Sequence, residues 1–157
     1  MENGKTKMRK GEMLNKMLVL ATNRHAGQFD RGGNPYILHP LKVMYYLKSD
    51  DEELQCIALA HDLVEDTDTT FAELRDMGFT DRIIKGIKAL TKMPGEGYDD
   101  YKLRVKDNPD AVKVKMCDLR HNTDVRRLKG VTEKDLVRME KYHRFFMELR
   151  VLENEDR

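Results

Sequence analysis

Apolar residues recur three and four positions apart along most of the chain, the spacing that places them on one face of a helix. Met13, Leu14, Met17, Leu18, Leu20 and Ala21 predict a first helix from Met8 to about Ala26, ending near Gly27. Gln28-Phe29-Asp30-Arg31-Gly32-Gly33-Asn34-Pro35-Tyr36 is rich in Gly, Asn and Pro and reads as a loop. A second helix follows His39-Pro40 and runs through Leu47, with Pro40 in the first turn, where its missing N–H costs little. Asp50-Asp51-Glu52-Glu53 puts acid at the start of a third helix, as its dipole favours, and that helix carries the stretch Ala58 to Thr67. Thr70 and Glu73 resemble a capping box ahead of a short helix ending at Gly78. Further helices are expected over 80–91, over 98–106, over 110–128 and, capped by Thr132, over about 132–152. No segment shows strand alternation with hairpin turn signals. The pattern predicts an all-α fold, a single bundle of about seven or eight helices spanning 1–157, with residues 1–8 as a flexible tail.

One stretch does not fit a plain core helix. Ile57, Ala58, Leu59, Ala60, Leu63 and Val64 are apolar, yet His61, Asp62, Glu65 and Asp66 fall among them. Buried charge is costly unless paired or bound to a metal. His61 and Glu65 are four apart, as are Asp62 and Asp66, so each pair is expected on one helical face. A further apolar-flanked acid, Asp118, and a histidine at the start of the second helix, His39, are candidate partners. Two imidazoles and two carboxylates suit Mn, Fe or Zn better than Ca or Mg. A divalent ion with open positions lowers the pKa of water and polarises a phosphoryl oxygen. Glu65 and Asp66, one turn on, are placed to orient that water or to pass a proton. Taken singly, each residue has a plainer reading: a cap for His39, an arginine pair for Asp118, a solvated helix end for Glu65 and Asp66.

Composition narrows the class. Charged residues make up 36% of the chain, but the formal net charge is only +1, which does not mark a nucleic-acid binder or a membrane-surface protein. No apolar run approaches a membrane span, and the polar, basic start lacks the apolar core of a signal peptide. Cys56 and Cys117 sit in apolar surroundings and read as free thiols in a reducing compartment, so a cytoplasmic protein is expected. The sequence leaves the oligomeric state open.

His61-Asp62 with a distant His and Asp resembles the HD superfamily of metal-dependent phosphohydrolases. Four segments tighten the likeness: Gly27-Gln28, Pro35-Tyr36-Ile37-Leu38-His39-Pro40, Ala60-His61-Asp62-Leu63-Val64-Glu65-Asp66-Thr67 and Lys115-Met116-Cys117-Asp118-Leu119-Arg120-His121-Asn122. In that order, within roughly 20–125, they look like the successive motifs of the RelA/SpoT-type (p)ppGpp hydrolase domain, in its small single-domain branch. The resemblance implies His39, His61, Asp62 and Asp118 as metal ligands, with Mn²⁺ as the usual ion. It implies Glu65 and Asp66 as the pair that activates water against the 3′-pyrophosphate, and Asn122 at the nucleotide site. The implied products are pyrophosphate and GDP or GTP. At 157 residues there is no room for a synthetase domain, so a hydrolase and not a synthetase is expected. His25, just before Gly27-Gln28, is expected to support the loop and not to bind metal.

The likeness has two departures. The family's alarmone hydrolases usually carry a basic residue after the Gly-Gln-x segment, where this chain has Asp30 followed by Arg31. They usually carry an Arg two residues after the Asn, where this chain has Asp124. Acid near a polyphosphate repels it, so both changes bear on the substrate and leave the metal centre untouched. Arg31, Arg104 and Lys115 are candidate phosphate contacts, and Tyr98 and Tyr101 candidate stacking partners for a base. Cations at this density are nevertheless mostly solvated, and a helical Tyr is more often core. Arg126-Arg127 with Lys129 reads as a helix C-terminus matched to its dipole. The expected partner is a small nucleotide. Another phosphorylated nucleotide, or a non-catalytic nucleotide-sensing module, is the alternative.

Overall fold

The computed structural model describes residues 7–155; six of the eight tail positions, 1–6, lie outside them. Among the described residues there are nine α-helical segments: α1 Glu12–Arg24, α2 Leu38–Leu47, α3 Glu52–Ala60, α4 Leu63–Asp66, α5 Phe71–Asp76, α6 Asp81–Leu90, α7 Tyr98–Lys106, α8 Pro109–Asn122 and α9 Glu133–Glu155. Segment α4 is a single turn. The described residues hold no strand beyond one isolated bridge between Phe29 and Pro35. The fold is all-α, as the periodicity predicts.

Helix α3 is the axle. Leu54, Cys56, Ile57, Ala58, Leu59 and Ala60 are all buried, because α1, α2, α6 and α8 pack around it. A helix apolar on every side belongs in the centre of a bundle. Its exposed start is pinned instead by polar contacts. The Asp51 side chain caps it by accepting from the Leu54 amide at 3.3 Å. Glu52 reaches the first turn of α1, accepting from the amides of Gly11 at 2.8 Å and Leu14 at 3.1 Å. Arg82 of α6 donates to both Asp51 and Asp110, tying the starts of α3 and α8 to α6. Helix α8 is the second hub, touching α2, α3, α6, α7 and α9. Phe145 and Leu149 of α9, both fully buried, close the core on its outer side.

Two boundaries differ from the sequence expectation, each for a local reason. The third helix does not run on to Thr67. It stops at Ala60, and Asp62 has φ −107° and ψ −1° before α4 begins. The His61 ring donates from Nδ1 to the Ala58 carbonyl at 2.7 Å, an acceptor that a continuing helix gives to the Asp62 amide. The helix expected over 110–128 ends at Asn122. Thr123 turns its hydroxyl back onto the Leu119 carbonyl, and Asp124 caps a short 3-10 turn, Val125–Arg127. At Thr70 only half of the capping box forms: the hydroxyl accepts from the Glu73 amide, while the Glu73 carboxylate pairs with Arg24 of α1.

The closest approach of α6 to α3 depends on Gly86. A Cβ built there meets Ile57 Cδ1 at 2.5 Å and Cγ1 at 2.9 Å, and Ile57 is fully buried. Gly86→Ala is therefore expected to destabilise the protein by about 1–3 kcal/mol, despite its better helix propensity. Adding Ile57→Val, which removes the nearest atom, recovers part of that loss. Denaturant midpoints of the two single variants and the double variant measure the coupling; strictly additive losses would contradict the packing described.

Candidate metal centre and active site

The centre is assembled from the far ends of three elements. His39 is the second residue of α2, His61 and Asp62 form the break after α3, and Asp118 lies on α8. Each histidine has one ring nitrogen occupied elsewhere, which fixes how the other points. His61 gives Nδ1–H to Ala58, and His39 Nδ1 meets His121 Nδ1 at 2.7 Å. Both Nε2 atoms then face the same point, 3.3 Å apart. Asp62 Oδ2 lies 3.0 Å from His61 Nε2 and 3.7 Å from His39 Nε2. Asp118 Oδ1 lies 2.9 Å from His39 Nε2 and 3.4 Å from His61 Nε2. Donor separations near 3 Å suit a common centre with bonds of roughly 2.1 Å, and the mixed N/O set suits a first-row divalent ion. His39, His61 and Asp62 each offer a donor within 4.8 Å of the others. These residues fit a metal.

The two carboxylates are held from behind. Lys115 Nζ lies 2.8 Å from Asp118 Oδ2, and Asn122 Nδ2 donates to Asp118 Oδ1 at 2.8 Å. Tyr36 donates its hydroxyl to Asp62 Oδ2. Burial alone works against the charge on Asp118, but Lys115 and His61 hold its carboxyl well below the usual range. Burial also opposes a charged His61, yet Asp62 and Asp118 beside it override that and push its pKa well above 6.5. Glu65 and Asp66 go the other way. Burial raises both, and the charge of Asp62 adds to the rise. His121 is pushed down to about 4 by burial, with the nearby Arg127 adding to the effect, which keeps its ring neutral as an acceptor for His39.

A cavity of about 520 Å³ opens in front of this cluster. Asp62, Glu65, Asp66 and Asp118 line its inner wall; Phe29, Asp30 and Arg31 come from the 28–36 loop, and Arg127, Arg138 and Tyr142 face them. The loop is tied to the inner wall through one relay. His25 Nδ1 donates to Gln28 Oε1 at 2.7 Å, and Gln28 Nε2 donates to the Asp66 carbonyl at 2.8 Å. His25 thus supports the loop, as expected from the sequence. Glu65 accepts from the Lys92 amide.

Other expected contacts are divided. Asn122 and Lys115 line the cavity, both on Asp118, and Arg31 stands at its rim with a side chain 68% exposed. Three residues are not brought to it. Tyr101 is buried and gives its hydroxyl to the Leu90 carbonyl. Tyr98 packs edge-on against Phe145. Arg104 spends its guanidinium on Glu96 and on the carbonyls of Lys88 and Thr91. Their helix, α7, faces α6, α8 and α9 and not the loop side of the molecule. Conversely, Arg127, a dipole-matching helix end by its sequence position, stands in the cavity wall, 3.3 Å from Asp30. Arg138 and Tyr142 had no signal beyond their place on an amphipathic helix. Tyr36 lies within the Pro35–Pro40 motif, and its hydroxyl contact with Asp62 has no signal in the spacing.

No family model matches the chain. Among curated proteins, it is 32% identical over 117 residues to a guanosine-3′,5′-bis(diphosphate) 3′-pyrophosphohydrolase from Aquifex aeolicus, covering 68% of this chain and 17% of that one. It is 33% identical over 136 residues to a GTP pyrophosphokinase rsh from Brucella ovis, covering 78% of this chain and 18% of that one. The chain thus spans less than a fifth of the length of these relatives. A solved structure, described as a metazoan ortholog of SpoT that hydrolyzes ppGpp, superposes with a TM-score of 0.73 over 91% of this chain and 88% of that one, at 20% identity. That likeness establishes the helical fold. With the sequence matches and the ordered motifs, it places the chain in the RelA/SpoT-type family of HD domains.

Proposed function

We propose that this chain is a metal-dependent phosphohydrolase that releases pyrophosphate from the 3′ position of a (p)ppGpp-type nucleotide. The observation that carries the reading is the convergence of His39, His61, Asp62 and Asp118 at the inner wall of a cavity that also holds Glu65 and Asp66. The relatives named for hydrolysis of guanosine 3′,5′-bis(diphosphate) supply the substrate class. The two acids that depart from the family pattern are each paired with an arginine, Asp30 with Arg127 and Asp124 with Arg126. The two cysteines are free thiols, and no helix among the described residues is long and apolar enough to cross a membrane, which supports action in the cytoplasm.

In this reading His39, His61, Asp62 and Asp118 hold a divalent ion, Mn²⁺ by family habit, with Fe or Zn as chemically acceptable substitutes. The bound ion supplies a Lewis acid beside the phosphoryl group and makes water more acidic. The protein's part is positional and protolytic. Glu65 and Asp66 have carboxyls raised above their usual range, which brings them nearer the pH at which a base can both be ionised and accept a proton well. One takes a proton from the attacking water as its oxygen bonds to phosphorus. The P–O bond to the ribose 3′-oxygen breaks, and that oxygen is protonated as the alcohol leaves. Gln28 fixes the turn carrying Asp66, and Asn122 and Lys115 fix Asp118, so neither wall shifts as charge moves.

Two outcomes follow. With Mn²⁺, the protein is expected to release pyrophosphate from ppGpp. Asp66→Asn and Glu65→Gln should each lower kcat by about 10²–10⁴-fold with metal still bound, and His61→Ala should lose metal and activity together. Absence of ppGpp turnover by the metal-loaded protein, or full activity in Asp66→Asn, would sink the reading. Metal binding should also be linked to protons. The metal-free His61 holds its proton to unusually high pH, whereas a ligating imidazole is neutral. Mn²⁺ affinity should therefore rise with pH, with protons released on binding. Calorimetry in buffers of different ionisation enthalpy measures that release; none, with affinity independent of pH, would show that the imidazoles are not the ligands.

A further inference from the structure

The cavity wall beside Asn122 carries a cation that neither helix periodicity nor motif order points to. Arg127 belongs to the 3-10 turn after α8, and its side chain is 19% exposed. Three acceptors hold its guanidinium. Nη1 donates to Asn122 Oδ1 at 3.0 Å and to the His121 carbonyl at 3.1 Å, and Nη2 donates to Asp30 Oδ2 at 3.3 Å. Asp30 is itself fixed by the Asn34 amide at 2.9 Å, and although burial opposes its charge, that amide and Arg127 hold its carboxyl below the usual range. The backbones are locked together as well. A Cβ on Gly32 would lie 2.2 Å from the Arg127 carbonyl oxygen, so only glycine lets the loop close onto the turn.

An arginine has five N–H donors, and three of these contacts leave two, including Nε–H, with no protein acceptor among the described residues. The other cations of the cavity are differently committed. Lys115 is bound to Asp118, Arg31 is largely in solvent, and Arg138 donates to Asp135 at 2.9 Å. A guanidinium already immobilised, facing a polar cavity with donors unspent, is what bidentate phosphate recognition needs at low entropic cost.

We propose that Arg127 is a substrate-binding residue that grips a phosphate group of the nucleotide between the 28–36 loop and Asn122, with Asp30 acting as its fixed support. The inference rests on the proposed function for the identity of the nucleotide. It turns the two acids at positions 30 and 124 from repulsive features into parts of a relocated cation site: Asp30 holds Arg127 in the cavity, and Asp124 caps the turn that presents it. Because the partners of Arg127 are Asn122, His121 and Asp30, and not a metal-ligand candidate or Glu65 or Asp66, its contribution is to binding.

The test is titration of ppGpp into the metal-free protein, where no turnover intervenes, with wild type, Arg127→Ala and Arg127→Lys compared at several salt concentrations. Arg127→Ala is expected to weaken binding about ten- to a hundredfold and to flatten the salt dependence, with Arg127→Lys in between because it keeps the charge and loses the fork. With Mn²⁺, the same change should raise KM and leave kcat near wild type. Affinity within about twofold of wild type in a folded Arg127→Ala overturns the proposal, as does a wild type that binds no ppGpp without metal. A fall in kcat alone also overturns it, because Arg127 would then act through Asn122 on Asp118. Failure here is separable from failure of the proposed function: turnover by wild type with an unchanged Arg127→Ala KM leaves the hydrolase reading standing, whereas binding through Arg127 without any turnover removes the hydrolase reading alone.

Discussion

Four ionisable side chains and a lysine share one buried point, and the rest of the molecule is arranged so that this is tolerable. His39, His61 and Asp118 are almost fully buried, and Lys115 lies directly behind Asp118. Isolated charge in such a place is strongly unfavourable. Here each charge has an opposite partner within about 3 Å, and further groups support them, Ala58 and His121 behind the imidazoles and Asn122 and Tyr36 behind the carboxylates. The cluster is a set of converging donors that suits a positive centre, held in place by the groups behind it.

That constraint explains the bundle. Helix α3 is apolar on every side except at its ends, so burial of its middle delivers its last turn, with His61 and Asp62, into the core. The break at Asp62 then turns Glu65 and Asp66 toward the cavity, where burial lifts their carboxyls. Helix α8 brings Asp118, Lys115 and Asn122 on one face, at spacings of three and four residues. The 28–36 loop closes the front through two anchors, Gln28 on the Asp66 carbonyl and Asp30 on Arg127. Rigid helices thus set the metal-ligand candidates, and a loop clamped at both ends shapes the mouth of the cavity.

Most of the helices could be read from short-range spacing, and the four metal-ligand candidates from charged groups within or beside apolar runs together with the resemblance of the ordered motifs to a known family. Ile83, Ile84, Ile87 and Leu90 mark one face of α6, and His61-Asp62 is conspicuous inside an apolar run. What could not be read depends on where a segment points after it leaves a helix. Tyr98, Tyr101 and Arg104 look suited to a nucleotide, but α7 turns them into the core and onto the 91–96 loop. Arg127 looks like an ordinary C-terminal cation, because nothing local announces that Thr123 and Asp124 end the helix and swing the next residues back toward residue 30. The same limit hid the meaning of Asp30, whose partner is 97 residues away. Long-range pairing of this kind leaves no periodic trace.

The most direct measurement is anomalous diffraction from a crystal grown with Mn²⁺, which locates the ion without relying on activity. The account predicts a single strong peak coordinated by His39 Nε2, His61 Nε2, Asp62 and Asp118, with Glu65 and Asp66 beside it and outside its coordination. Mn²⁺ bound elsewhere, or bound here without Asp118 or with Glu65 as a ligand, would contradict the assignment of roles on which the proposed chemistry depends.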